Sequence, residues 1–271
     1  MRDPLTLNGR IHVFTSALFQ TTAVVLEGNT SLLAVDPNYL PEELGLIASF
    51  VRGLRKPLRL LYSHHHFDHI VSGQSFPGAE ILAHAAFPRA AAGGSGRASS
   101  EQRVRDFDDE FYIQREQAFS FVPPTQLVED GWTEDLGGLR LKLLHHPGHS
   151  VDMLATWLPD LKVLLSADML SPVEIPMLDG DGTVYLESLG KMRKMVLAGE
   201  TETVVPGHGP ILKGRTEILR ILDEDVVYIE ELQQAVKAAD SGEKIAYRFK
   251  GGSSQMQKIH AQNLERVRGE A

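Results

Sequence analysis

The 271-residue chain contains no cysteine. A disulfide framework, a thiolate metal site and a cysteine nucleophile are all excluded at once, so any metal must be held by His, Asp or Glu. Long apolar runs are lacking too: none approaches the roughly 20 residues needed to span a bilayer. The first residues, Met-Arg-Asp-Pro-Leu-Thr, lack the charged-then-apolar pattern of a secretory leader. A soluble cytoplasmic protein that does not engage membranes is the expectation. Basic charge is also short, with 27 Lys and Arg against 36 Asp and Glu and a formal net charge of −9. That balance votes against a polyanion as the main partner, so no nucleic acid is expected. What remains is 42 % hydrophobic and 23 % charged, the composition of a globular chain long enough for a sizeable core.

Residues 11–16, 22–27 and 31–35 are short and rich in β-branched or apolar side chains, and a Gly28-Asn29-Thr30 turn separates the last two. From Pro41, apolar residues recur at 44, 47, 51 and 54, a helical spacing. Residues 58–62 form a compact apolar run of the kind that makes a buried strand, and 79–83 form another. Further strands are expected at 127–130, 139–144, 153–157, 162–166 and 203–205. Helices are expected at 183–197, 215–239 and 253–268. Residues 93–100 read as a flexible connector, and the charged stretch 101–118 as a helix in an insert over the main body. Alternating strands and helices in both parts of the chain indicate a layered α/β fold. We find no clean internal repeat.

The chemistry concentrates in Ser63-His64-His65-His66-Phe67-Asp68-His69, directly after a buried strand. His64 and His66 are two apart and project to the same side of an extended backbone, with His65 pointing the other way. Asp68 and His69 follow in a turn. Three further positions also stand at strand ends: His149 after Pro147-Gly148, Asp168 after 162–166, and His208 after Pro206-Gly207. His145 and His146 read as packing or supporting residues.

On these motifs the chain resembles the metallo-β-lactamase-fold hydrolases from residue 11 to about residue 221. The resemblance implies a four-layer αβ/βα sandwich, a single domain over 1–271 with a helical insert at about 86–125 and a C-terminal helical extension at about 215–271. It implies that His64, His66 and His149 hold one metal and that Asp68, His69 and His208 hold a second, with Asp168 bridging. Two Zn2+ ions per chain suit five imidazoles and two carboxylates, with iron or manganese as the alternatives. A bridging hydroxide would then attack a small ester, lactone or thioester carbonyl, with Asp68 and Asp168 as the catalytic carboxylates. Phosphodiester hydrolysis and an iron-dependent persulfide dioxygenase activity are the competing readings. The lack of cysteine sets the chain apart from β-lactamases that use Cys on the second metal. A small-molecule substrate is expected against Tyr39, Phe107, Phe111 and Met177, and the long C-terminal helices offer a face for a homodimer.

Overall fold

The computed structural model describes residues 4–92, 97–239, 241–242, 244–250 and 252–269. The chain divides into two compact units, Met1–His145 and His146–Ala271.

In the first unit, β1 (Leu5–Leu7), β2 (Ile11–Thr15), β3 (Thr22–Glu27), β4 (Leu32–Val35), β5 (Leu58–Leu61), β6 (Glu80–His84) and β7 (Gln126–Val128) lie side by side in chain order. Pairing is antiparallel from β1 to β4 and parallel from β4 to β7. The switch to parallel pairing requires a crossover, supplied by α1 (Pro41–Leu54). Pro41 stands in its first turn, and Leu44, Ile47, Ala48 and Val51 form its buried face, as the spacing predicts. The helix stops where Arg55 turns left-handed, at φ 53°. Leu60, Leu61 and Tyr62 are fully buried. Each such apolar side chain stabilises the fold by about 1.5–3 kcal/mol, which anchors the strand end that follows.

The insert comprises α2 (Phe87–Ala92) and α3 (Arg97–Glu110). Residues 93–96 of the expected connector lie outside the described residues, and 97–100 are helical rather than flexible. The helix expected to reach residue 118 ends eight residues earlier. Tyr112 adopts φ 54°, and the chain turns back so that Arg115 pairs with Asp108 at 2.6 Å. The unit also holds the antiparallel pair β8 (Thr133–Asp135) and β9 (Arg140–His145). The Gly28-Asn29-Thr30 turn docks on the chain between them: Asn29 N donates to Gly137 O at 2.9 Å and Thr30 N to Leu136 O at 3.1 Å. A Cβ on Gly28 would sit 1.7 Å from Leu136 O, so only glycine fits there.

In the second unit the strands run in the order β13 (Leu212–Lys213), β12 (Thr203–Pro206), β11 (Val163–Ala167), β10 (Leu154–Leu158). The pair β11–β12 is parallel and its neighbours are antiparallel. Helix α4 (Thr183–Leu197) packs on α5 (Arg215–Lys237), and α5 on α6 (Ser254–Arg268). The buried face of α5 carries Ile218, Ile221, Leu222, Tyr228, Ile229 and Leu232, with Asp225 in the same stripe. Ser253 caps α6, its hydroxyl accepting from Met256 N at 3.2 Å. No helix among the described residues is long and apolar enough to cross a membrane.

Candidate metal centre

Strand β5 delivers the histidine-rich segment 63–69 at its C-terminal end. His64 and His69 are buried, while His66 and Asp68 are half-buried. The Nε2 of His64 lies 3.0 Å from Nδ1 of His66, and Asp68 Oδ2 lies 3.6 Å from His69 Nε2. His65, between two of these residues, is half-buried and sets its ring edge-on to His66 at 5.0 Å.

The turn holding this segment depends on Asp36, at the end of β4, a residue that sequence reasoning passed over. It is 3 % exposed. Its Oδ1 accepts from Ser63 N at 2.8 Å, and its Oδ2 accepts from His69 Nδ1 at 2.9 Å. A neutral imidazole that donates from Nδ1 presents a lone pair at Nε2, so Asp36 sets the tautomer a metal ligand needs. Asp36 adopts φ 44°, a left-handed conformation that aspartate tolerates better than most residues. The available signal was an Asp directly after an apolar strand in a sheet whose next parallel strand carries the motif.

In the second unit, two loop histidines converge on one carboxylate. His149 Nε2 is 3.3 Å and His208 Nε2 3.4 Å from Asp168 Oδ2. Each loop has a local reason. Gly148 has φ 132°, and a Cβ there would meet Tyr185 Cα at 2.4 Å. Gly207 lies so close that a Cβ would reach Asp168 Oδ1 at 2.1 Å. Its amide donates to Ala167 O at 2.6 Å, which ties the β12 end to the β11 end. The backbone carbonyl of His208 accepts from Ser171 Oγ at 3.0 Å, and its Nδ1 lies 3.8 Å from Glu174. Ser171 is held in turn by Lys250, whose ammonium donates to Ser171 O at 2.8 Å and to Asp225 Oδ1 at 2.7 Å. Tyr185 donates to the backbone oxygen of Asp168 at 3.4 Å, and burial raises its hydroxyl pKa well above the usual value.

The donor spacings suit metal ions. Two ligand atoms each about 2.0–2.1 Å from one ion, at a tetrahedral angle, lie about 3.3 Å apart. The separations of 3.0–3.6 Å within each group bracket that value. An all-imidazole and carboxylate set also matches a cysteine-free chain.

The other expected site residues fall elsewhere. Tyr39, expected on the substrate side, is fully buried beneath α3. Its hydroxyl lies 2.8 Å from Asp108 Oδ1 and 3.2 Å from Val104 O, and the Arg115 guanidinium stands 4.6 Å over its ring. Burial and the Asp108 carboxylate push its pKa far up. It fastens the insert and offers a substrate no surface. Phe107 is half-buried and Phe111 is 46 % exposed; their rings stack at 4.5 Å. Met177 is half-buried in the loop before α4. His145 stacks on His84 at 3.9 Å, and the amide of His146 donates to Met153 O at 3.0 Å.

A family profile described as Metallo-beta-lactamase superfamily matches residues 17–208. Among curated proteins, the linear primary-alkylsulfatase of Pseudomonas sp. (strain ATCC 19151) is 27 % identical over 254 residues, covering 80 % of this chain and 47 % of that protein. The acyl-coenzyme A thioesterase MBLAC2 of Homo sapiens is 27 % identical over 169 residues, covering 57 % of each. The chain thus spans about half the length of these relatives. Among solved structures, the stereoselective inverting sec-alkylsulfatase Pisa1 from Pseudomonas sp. has a TM-score of 0.72 at 15 % identity, covering 98 % of this chain and 49 % of that one. A metallo-beta-lactamase family protein from Thermus thermophilus has a TM-score of 0.68 at 18 % identity, covering 96 % and 91 %. At such identities the structural likeness establishes the fold, an αβ/βα sandwich, and nothing about substrate.

Proposed function

This chain belongs to the metallo-beta-lactamase superfamily, and from that premise we propose that it is a metal-dependent hydrolase acting on a small ester or thioester of apolar character. The observation that carries the reading is Asp168, one of whose carboxylate oxygens faces the Nε2 atoms of both His149 and His208 within 3.4 Å. A carboxylate so disposed is what a ligand shared by two ions requires. The proposed sets are His64, His66, His149 and Asp168 for one ion and Asp68, His69 and His208 for the other, and Asp168 is proposed as the shared ligand because His208 also stands 3.4 Å from it.

Bound divalent ions would lower the pKa of a water molecule towards neutrality and polarise the carbonyl under attack. The remaining work falls to the chain. Asp36 keeps His69 in the tautomer that offers Nε2. Asp68 would take the proton lost by the attacking water at its carboxylate and return it to the departing oxygen or sulfur. Two carboxylates offset part of the cationic charge, so the loss of either weakens both metal affinity and turnover.

Support for a thioester comes from the similarity to the human acyl-coenzyme A thioesterase. A second reading, hydrolysis of a sulfate ester, is favoured by the alkylsulfatase relative, whose match covers 80 % of this chain. Elemental analysis of the purified protein, together with a panel of acyl thioesters, carboxylic esters, lactones, phosphodiesters and alkyl sulfates, tests both. Two ions per chain and turnover of thioesters or esters are expected. Turnover of alkyl sulfates alone would move the assignment to the second reading, and a metal-free, inactive protein would end both.

A further inference from the structure

We propose that Phe19, Phe67, Phe107 and Phe111 form a binding strip for a straight hydrocarbon chain, so that the ester or thioester of the preceding section carries a linear acyl or alkyl group. The inference rests on that reading for the location of the reacting bond. It goes further in naming what lies beside it.

Phe67 stands between the proposed ligands His66 and Asp68, so its ring is tethered to the metal loop. That ring lies 5.3 Å from Phe107, which stacks on Phe111 at 4.5 Å. Phe19 closes one side, edge-on at 5.7 Å from Phe107 and 6.2 Å from Phe111. The rings therefore run in a row that starts at the ligand loop and leads outward along α3.

Residues that only fasten the insert are buried: Tyr39, Val104 and Phe119 are all 5 % exposed or less. Phe67 and Phe107 pack on this cluster as well, their rings 5.7 and 5.1 Å from Tyr39, yet the strip is less covered than the cluster. Phe19, Phe67 and Phe107 stay half-buried and Phe111 is 46 % exposed. Aromatic rings left in water beside a polar centre forgo the stabilisation of burial, and a polar residue at position 111 would leave the fastening intact. Phe19 and Gln20 moreover adopt left-handed φ values of 53° and 51°, a backbone conformation that is costly for a bulky residue. That bend carries Phe19 to the edge of the other two rings. Phe67, Phe107 and Phe111 follow one another with Phe19 flanking the last two, an elongated apolar surface that suits an extended chain better than a compact branched group. Its contiguity with the ligand loop selects the substrate itself as the occupant over a second protein or a membrane.

The test uses the metal-loaded protein and straight-chain thioesters and esters of two to ten carbons, with equilibrium binding of the matching carboxylates by calorimetry. Burial of each methylene improves binding about fourfold at most. In the wild type, both kcat/KM and carboxylate affinity should therefore rise two- to fourfold per methylene until the strip is filled. In Phe107→Ser/Phe111→Ser that dependence should flatten, with metal content unchanged. If the double variant fails to fold, Phe111→Ser alone carries the test, because its ring is the exposed end; there only the longest chains should lose their advantage. Wild-type turnover or affinity independent of chain length overturns the strip, as does a length dependence that both variants retain. Self-association or vesicle binding that the variants abolish, without any length dependence, would also overturn it. Length-dependent carboxylate binding without hydrolysis of any thioester or ester supports the strip while removing the proposed reaction.

Discussion

Asp36 holds His69 through a 2.9 Å hydrogen bond to Nδ1, while its second oxygen holds the amide of Ser63 at 2.8 Å. One carboxylate thus fixes both ends of the ligand-bearing turn. Asp36→Asn keeps the size of the side chain but removes an acceptor, so metal affinity should fall about 10–100-fold. Competition with a chromophoric chelator measures it, and an unchanged affinity would reduce Asp36 to a loop residue.

His64→Ala and Asp168→Ala should each abolish hydrolysis and lower the bound metal. Gly207→Ala should do the same without replacing a ligand, because the new Cβ would lie 2.1 Å from Asp168 Oδ1 and 3.0 Å from the Ala167 carbonyl carbon. Metal stoichiometry by elemental analysis decides each case. Two ions per chain in either alanine variant of the ligands would sink the ligand assignment.

Removal of metal should lower the thermal unfolding temperature as well as activity. An ion that binds the folded chain and not the unfolded one stabilises it by mass action. Dialysis against a chelator, followed by calorimetry with and without added Zn2+, should give a reversible shift that grows with metal concentration. A transition indifferent to added ions would contradict the metal centre.

Tyr39→Phe removes a hydroxyl that contacts Asp108 and the Val104 carbonyl inside the insert. A cost of about 1–2 kcal/mol is expected, with bound metal unaffected. Faster proteolytic cleavage near residues 93–119 should accompany it. Cleavage at the wild-type rate would detach Tyr39 from the insert's stability.

Asp225 supplies a pH test. Burial holds its pKa up at about 6, against an ordinary 3.8, despite the opposing pull of Lys250. Between these values the folded state binds more protons than the unfolded, so this group's contribution is greatest below about pH 4 and is lost as pH rises towards 6. The difference in unfolding free energy between wild type and Asp225→Asn should fall across that window and stay level above it. A difference that rises with pH would reverse the assignment.

The candidate ligand positions stood out because each follows a strand, and β5, β11 and β12 are the short apolar runs that parallel pairing buries. The extent of α3 did not. Its few apolar residues give no strong period, and the stop at Glu110 depends on Arg115 folding back onto Asp108, a contact no local pattern announces. Tyr39 was misplaced for a related reason. A residue just past a strand end faces either solvent or whatever covers that end, and only the packed position of α3 decides which. Phe19 and Phe67 escaped notice because their neighbours in sequence are not their neighbours in space.

Lys250 reaches back 79 positions to the carbonyl of Ser171, whose hydroxyl in turn steadies His208. Lys250 therefore works as a clasp that fastens only after the ligand loops and α5 have been made. A polypeptide released before residue 250 would carry all seven candidate ligands and still leave the His208 loop without its last support. Asp225, buried on α5, would meanwhile lose its ammonium partner. Cutting the chain ahead of Lys250 to isolate the ligand-bearing region would unlatch the loop the cut was meant to keep.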